Sequence, residues 1–127
     1  MDKLDIGQCW ITWTRLGNAG ILMYICFHPD VTGPLGFVWG IPMFNQNNEG
    51  IFHTCGSYVL KQFRRKGIRT LINNTILEHN KVIHTWSGSK TGGKKFMQAS
   101  GYVFDKIRHD WFLIKGKKNG KRKTVRS

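Results

Sequence analysis

Hydrophobic and polar positions along the chain change period once. Gln8 to Leu16 alternates and is rich in Trp, Ile and Thr, which predicts a strand. Gly17 to Gly20 reads as a turn, and the apolar run Ile21 to Phe27 as a second strand. Two prolines and a glycine between His28 and Pro34 predict a loop, because neither residue type continues a ladder. Leu35 to Ile41 is a third strand, Asn45 to Gly50 a polar turn, and Ile51 to Leu60 a fourth strand. Short connections make these four an antiparallel meander. Beyond them Ile68, Leu71, Ile72, Thr75 and Ile76 recur at helical spacing, so Gly67 to Asn80 is expected to be an amphipathic helix. Val82 to Trp86 reads as a short strand. Ser89 or Thr91 is placed to cap a second helix running to about Ser100, with Phe96 and Met97 inward. Tyr102 to Ile114 returns to strand, with a bend near His109-Asp110. The order predicts an α/β (α+β) domain: a mixed, mostly antiparallel sheet of about six strands with two main helices.

Length and composition narrow this. At 127 residues, with 40% hydrophobic and 13% aromatic residues, the chain suits one core rather than two. The start lacks a basic segment followed by an apolar run, and no apolar stretch is long enough to span a bilayer, so a cytoplasmic protein is expected. Cys9, Cys26 and Cys55 contain no Cys-x-x-Cys pair; the expectation is small buried hydrophobes rather than a disulfide framework or a zinc site. The five tryptophans all fall on predicted strands, which favours packing on the sheet over base stacking.

Charge is divided along the chain. Residues 1–60 carry two bases and four acids, whereas residues 61–127 carry eighteen bases and three acids, so the whole +13 excess belongs to the second half. Such a field attracts coenzyme phosphates, nucleic acid, or both. Lys115 to Ser127 holds seven Lys or Arg, no acid and almost nothing apolar. The expected organisation is therefore a folded domain over 1–115 and a basic, disordered tail over 116–127. Lys117, Lys118, Lys121, Arg122, Lys123 and Arg126 in that tail are candidate nucleic-acid contacts, or simply a solubilising end.

Chemistry concentrates in Ser57-Tyr-Val-Leu-Lys-Gln-Phe-Arg-Arg-Lys-Gly-Ile-Arg-Thr70, where a strand runs through a basic turn and a glycine into a helix. A helix start offers unpaired N–H groups and the positive end of a dipole, and Gly67 lets a phosphate come close. Arg64, Arg65 and Lys66 add charge at the same place. An ordinary solvated helix N-terminus has this look too.

Arg64-Arg-Lys-Gly-Ile-Arg69 resembles the acetyl-CoA motif Arg/Gln-x-x-Gly-x-Gly/Ala of the GNAT (Gcn5-related N-acetyltransferase) superfamily, matching its first five positions. Tyr58 to Phe63 looks like that motif's lead-in, and the helix ending in Gly101-Tyr102 is similar to a second family motif ending in Gly-Phe. The resemblance covers about residues 8–114. It implies a GNAT-like fold and an acyl-CoA, acetyl-CoA by default, bound by Ser57, Tyr58, Val59, Arg64, Arg65, Lys66, Gly67, Ile68, Arg69 and Thr70. The amides near Ser57 and Val59 would pair with pantetheine where the fourth and fifth strands splay. His53 lies where the histone-modifying branch places its glutamate, which makes it the candidate base that takes the amine's proton; the competing reading is a histidine packed on the sheet. Glu49 is a fallback that reads better as the end of a polar turn.

Three departures qualify the likeness. Arg69 replaces a small residue and either crowds the phosphate turn or adds a contact. Met97 stands where many members have a tyrosine that protonates the leaving thiolate, leaving Tyr58 and Ser87 as substitutes. Gly17 to Gly20 leaves no room for the usual helical pair between the first two strands, so the acceptor side is open and favours a large substrate. The compact form is similar to GNAT-like proteins of bacteriophages, including internal virion proteins and DNA-modifying enzymes of the Mom type. Two functions fit: an N-acyltransferase acting on an amine of nucleic acid or of a nucleic-acid-bound protein, and a GNAT-fold protein without catalysis that binds nucleic acid or is packaged in a virion.

Overall fold

The computed structural model describes residues 4–18, 20–86, 93–108 and 110–116. Seven strands form one sheet in the order β1-β2-β3-β4-β5-β7-β6. They are β1 (Trp10–Leu16), β2 (Ile21–Phe27), β3 (Gly36–Phe44), β4 (Gly50–Val59), β5 (Val82–Trp86), β6 (Val103–Asp105) and β7 (Asp110–Ile114). β1 to β4 are the expected antiparallel meander, and β4 and β5 are parallel. The crossover between β4 and β5 is helix α1 (Ile68–His79); α2 (Gly93–Ala99) joins β5 to β6. A turn alone separates β1 from β2, with Gly17 and Gly20 both at positive φ.

One face of the sheet holds the core. α1 presents Ile68, Ile72, Asn73 and Ile76, spaced at one helical turn, and lies across the centre of the sheet. Beneath it are Tyr24, Cys26, Val38, Phe52 and Ile83, each at the inward position of its strand. Met97, Tyr102, Trp111 and Leu113 extend the same cluster toward α2. Asn73 is buried but satisfied, donating to the Tyr102 hydroxyl at 3.1 Å and tying α1 to the segment after α2. That segment ends α2 as a Schellman motif: the Tyr102 amide reaches Met97 O and the Gly101 amide reaches Gln98 O, with Gly101 left-handed. Among the described residues both helices pack on this one face. The other face carries half-buried Trp39 and His53 and exposed Ile41.

Five details differ from the sequence reading. β1 begins at Trp10, because Asp5 accepts from the Gly7 amide at 3.0 Å and winds Ile6–Gln8 into a 3-10 turn. β3 runs on to Phe44. The single bent strand expected over Tyr102 to Ile114 is a hairpin of β6 and β7, so the strands number seven; the Asp105 carboxylate accepts from the Ile107 and Arg108 amides and folds the turn without glycine or proline. Of the tryptophans, Trp111 is buried but Trp10 and Trp13 are about half exposed (47% and 53%) near the sheet edge. Cys26 is buried, Cys9 half-buried and Cys55 exposed. Ser87, the caps expected at Ser89 or Thr91, and the tail cations Lys117 to Arg126 lie outside the described residues. No described helix is long and apolar enough to cross a membrane.

Candidate active site at the β4–β5 fork

β4 and β5 pair only from Ile51↔Val82 to Thr54↔Thr85, while β4 continues to Val59 against β3. A bulge marks the parting point. Trp39 faces Gly56 and Gly40 faces Thr54, so Cys55 is the extra residue, turned outward. The bulge is anchored by close packing. A Cβ on Gly40 would lie 2.1 Å from the His53 carbonyl oxygen, and one on Gly56 would lie 2.4 Å from the Trp39 indole nitrogen.

Past the bulge, no strand among the described residues pairs with that edge of β4. The Leu60 amide donates to Leu35 O at 2.9 Å, which sets the alternation of the strand. Val59 and Ser57 therefore point their amides away from β3, into the gap. At the far end of this edge the turn Arg64 to Gly67 enters α1, with Arg65 at φ 64° and Gly67, the N-cap, at φ 88°. Among the described residues no side chain caps the helix, and no acid stands in its first turn, so its leading amides suit an anion. Among the described residues, chain neighbours and the helix's own backbone aside, nothing lies within 4 Å of where a Gly67 Cβ would be. Gap, bare helix start and basic turn together make a slot suited to an extended chain ending in phosphates. From Val59 to His53 is six residues, roughly 20 Å at strand rise, which is comparable with an extended pantetheine arm.

The basic residues divide their work. Arg64 bends back, donating from Nε to Val59 O at 2.8 Å with its guanidinium over the Tyr58 ring. Arg69 donates to the Ser57 hydroxyl at 2.8 Å and to Asn73 Oδ1 at 3.4 Å, and its guanidinium covers Phe96. Arg69 thus straps α1 to β4 and α2. Met97 is buried in the core, so no proton donor comes from that position. Tyr102 is also enclosed, and burial raises its phenol above the ordinary value. Glu49 ends the β3–β4 turn, accepting from Asn45 and pairing with Lys81 at 3.1 Å; those bonds lower its carboxyl.

His53 sits at the fork itself, on the face away from α1, with His84 of β5 as its register partner. Its Nδ1 lies 2.6 Å from His84 Nδ1, and His84 Nε2 lies 2.6 Å from Asp110 Oδ2. Asp110 comes from the first position of β7 and is 3% exposed; its other carboxylate oxygen has no hydrogen-bond partner among the described residues. Burial, and then the neighbouring His84, lower the pKa of His53 from its ordinary value, with Asp110 opposing them. At neutral pH His53 is therefore a neutral imidazole fit to accept a proton. His84 and Asp110 escaped the sequence reading. The available signals were a histidine inside the short apolar strand Val-Ile-His-Thr-Trp and an acid opening the run Trp111 to Ile114.

No family model matches the chain, and no curated protein sequence does. Solved structures do match. A GNAT-family acetyltransferase from Staphylococcus aureus superposes with a TM-score of 0.59 at 12% identity, over 76% of this chain and 69% of that one. An integron cassette protein from Vibrio cholerae gives 0.59 at 20% identity, over 87% and 70%. Arabidopsis thaliana Naa50, solved with a bisubstrate analogue containing CoA, gives 0.54 at 13% identity, over 75% and 72%. The chain spans about 70% of the length of these structures. It has the GNAT fold.

Proposed function

We propose that the protein is an acyl-CoA-dependent N-acyltransferase, with acetyl-CoA as donor and an amine of a macromolecule as acceptor. The carrying observation is the fork. The sheet opens only beyond Thr54↔Thr85, and the edge it leaves leads from the bare start of α1 to His53. In this reading the helix start and the Arg64 to Gly67 turn hold the pyrophosphate. The Ser57 and Val59 amides hold the pantetheine, and the thioester reaches the fork. Arg65, Lys66, Ile68 and Thr70 belong to the phosphate turn, Tyr58 flanks the arm, and Arg69 keeps Ser57 in place. Likeness to a structure holding a CoA analogue supports the donor. The uncovered sheet face beside His53, with Ile41 and Met43 exposed, supports a large acceptor over a small enclosed metabolite. The basic second half supports an acceptor that is nucleic acid or is bound to it.

Calorimetry with acetyl-CoA tests the donor site. Wild type is expected to bind in the micromolar range. Gly67→Asp, which sets a carboxylate against the pyrophosphate, should lose at least about tenfold in affinity. Gly67→Asn carries the same left-handed strain without the charge and should lose far less. Equal affinities for wild type and the Asp variant would remove this turn from the site.

A further inference from the structure

The three-member chain Asp110–His84–His53 has a direction that its end groups set. Asp110 is a buried acceptor, so the bond at 2.6 Å places a proton on His84 Nε2. A neutral His84 then has its lone pair on Nδ1, 2.6 Å from Nδ1 of His53. That bond requires a proton on His53 Nδ1, which leaves the His53 lone pair on Nε2, on the opposite side of the ring. We infer that His84 and Asp110 are positioning residues, which fix His53 as the Nδ1–H tautomer and receive the proton that His53 takes up.

This inference rests on the acyltransfer reading for its chemistry, though not for its geometry. A neutral amine attacks the thioester carbonyl, the C–N bond forms, and the C–S bond breaks with its electron pair leaving on sulfur. The amine's surplus proton passes to His53 Nε2. The His53 Nδ1 proton can then shift to His84 Nδ1, making His84 an imidazolium against the Asp110 carboxylate. The charge thereby moves from the fork to a buried anion that, among the described residues, has a hydrogen-bond partner for one of its two carboxylate oxygens. Solvent later removes one proton from the chain and supplies one to the thiolate, so protons balance. Among the described residues the titratable groups facing His53 include His84 from β5 and Asp110 from β7; β3 presents Ile41 opposite it.

The test is nitrogen-15 spectroscopy of the imidazoles in the full chain, which needs no turnover. Expected above the histidine titration are an Nδ1–H signature for His53 and an Nε2–H signature for His84. The His53 ring should titrate below the ordinary histidine midpoint. His84→Phe should return His53 to the Nε2–H form that histidine prefers in water. Asp110→Asn, close in shape, should shift the His53 midpoint further down and serves if the Phe variant does not fold. Transfer from acetyl-CoA to a lysine-rich peptide supplies the second readout. Each variant should lower kcat at least about tenfold, with KM for acetyl-CoA little changed. An Nε2–H signature for His53 in wild type, or no change in either variant, would overturn the relay even if acetylation and its dependence on His53 persist. The expected tautomers and variant responses, with no acetylation of peptide, would uphold the relay and count against the acyltransfer reading. The two failures are thus distinct.

Discussion

Cys55 is the side chain that the β4 bulge turns outward, and it stands one residue past the last β4–β5 pair. Partial burial raises its thiol above the ordinary value, yet the side chain is exposed to reagents. Cys26 is different: burial pushes it up to about 12. Iodoacetamide at mildly alkaline pH should therefore label Cys55 first and Cys26 only on unfolding. If a pantetheine arm lies along the β4 edge, acetyl-CoA should slow labelling of Cys55 several-fold, read by peptide mass spectrometry. Unchanged labelling at saturating acetyl-CoA would place the arm elsewhere. Individual residues also differ in how far the sequence revealed them. Gly67 was legible because a turn and a helix start are local. Arg69 was not: it ends on Ser57, twelve residues back, and that meeting exists only once α1 folds over β4. His84 and Asp110 were hidden for the same reason, since separations of 31 and 26 residues close only through sheet pairing.

At the scale of elements, the fork depends on a defect in the ladder between β3 and β4. Gly40 faces Thr54 at that defect, and its missing side chain is what lets the His53 carbonyl approach. Gly40→Ala would set a methyl 2.1 Å from a backbone oxygen and 2.8 Å from the buried Phe52 ring, neither of which can swing aside. The expected cost is about 3 kcal/mol, measured by denaturant unfolding. Because relief requires β4 to shift, the variant should also weaken acetyl-CoA binding. A variant as stable as wild type would show that the bulge has slack. Strands and helices were themselves largely legible: β2 and β5 match their expected limits, and α1 differs only by its two caps. Period change supplied that information. The bulge did not show, because Cys-Gly in an alternating run has no local mark distinguishing it from regular strand. The β6–β7 hairpin was missed for a related reason: its turn relies on one aspartate bonding two amides, while its neighbours Lys106 to Arg108 look like strand.

Over the whole molecule, the division of charge parallels the division of labour. The half that builds β1 to β4 is slightly acidic, whereas every excess base follows the fourth strand. Within the second half, Arg64 and Arg69 are engaged by the domain itself, on Val59 O and Ser57 Oγ, so they offer less to an outside polyanion than their number implies. That places the weight of any nucleic-acid contact on the remaining cations, above all those at the C-terminal end. Deleting Lys117 to Ser127 removes six of the twenty Lys and Arg and no acid, taking the formal charge from +13 to +7. If the acceptor is nucleic acid or travels with it, the shortened chain should bind duplex DNA and RNA more weakly. Its affinity should also fall less steeply with salt, since fewer counterions are released per complex. The core cluster is complete by Leu113 and the slot by Thr70, so melting temperature and acetyl-CoA affinity should hardly change. Fluorescence anisotropy with labelled duplexes, run on both chains from low to physiological salt, reads the slopes directly. Parallel slopes would make the tail a solvated end. A full-length chain that binds neither duplex would direct the search for an acceptor toward free proteins.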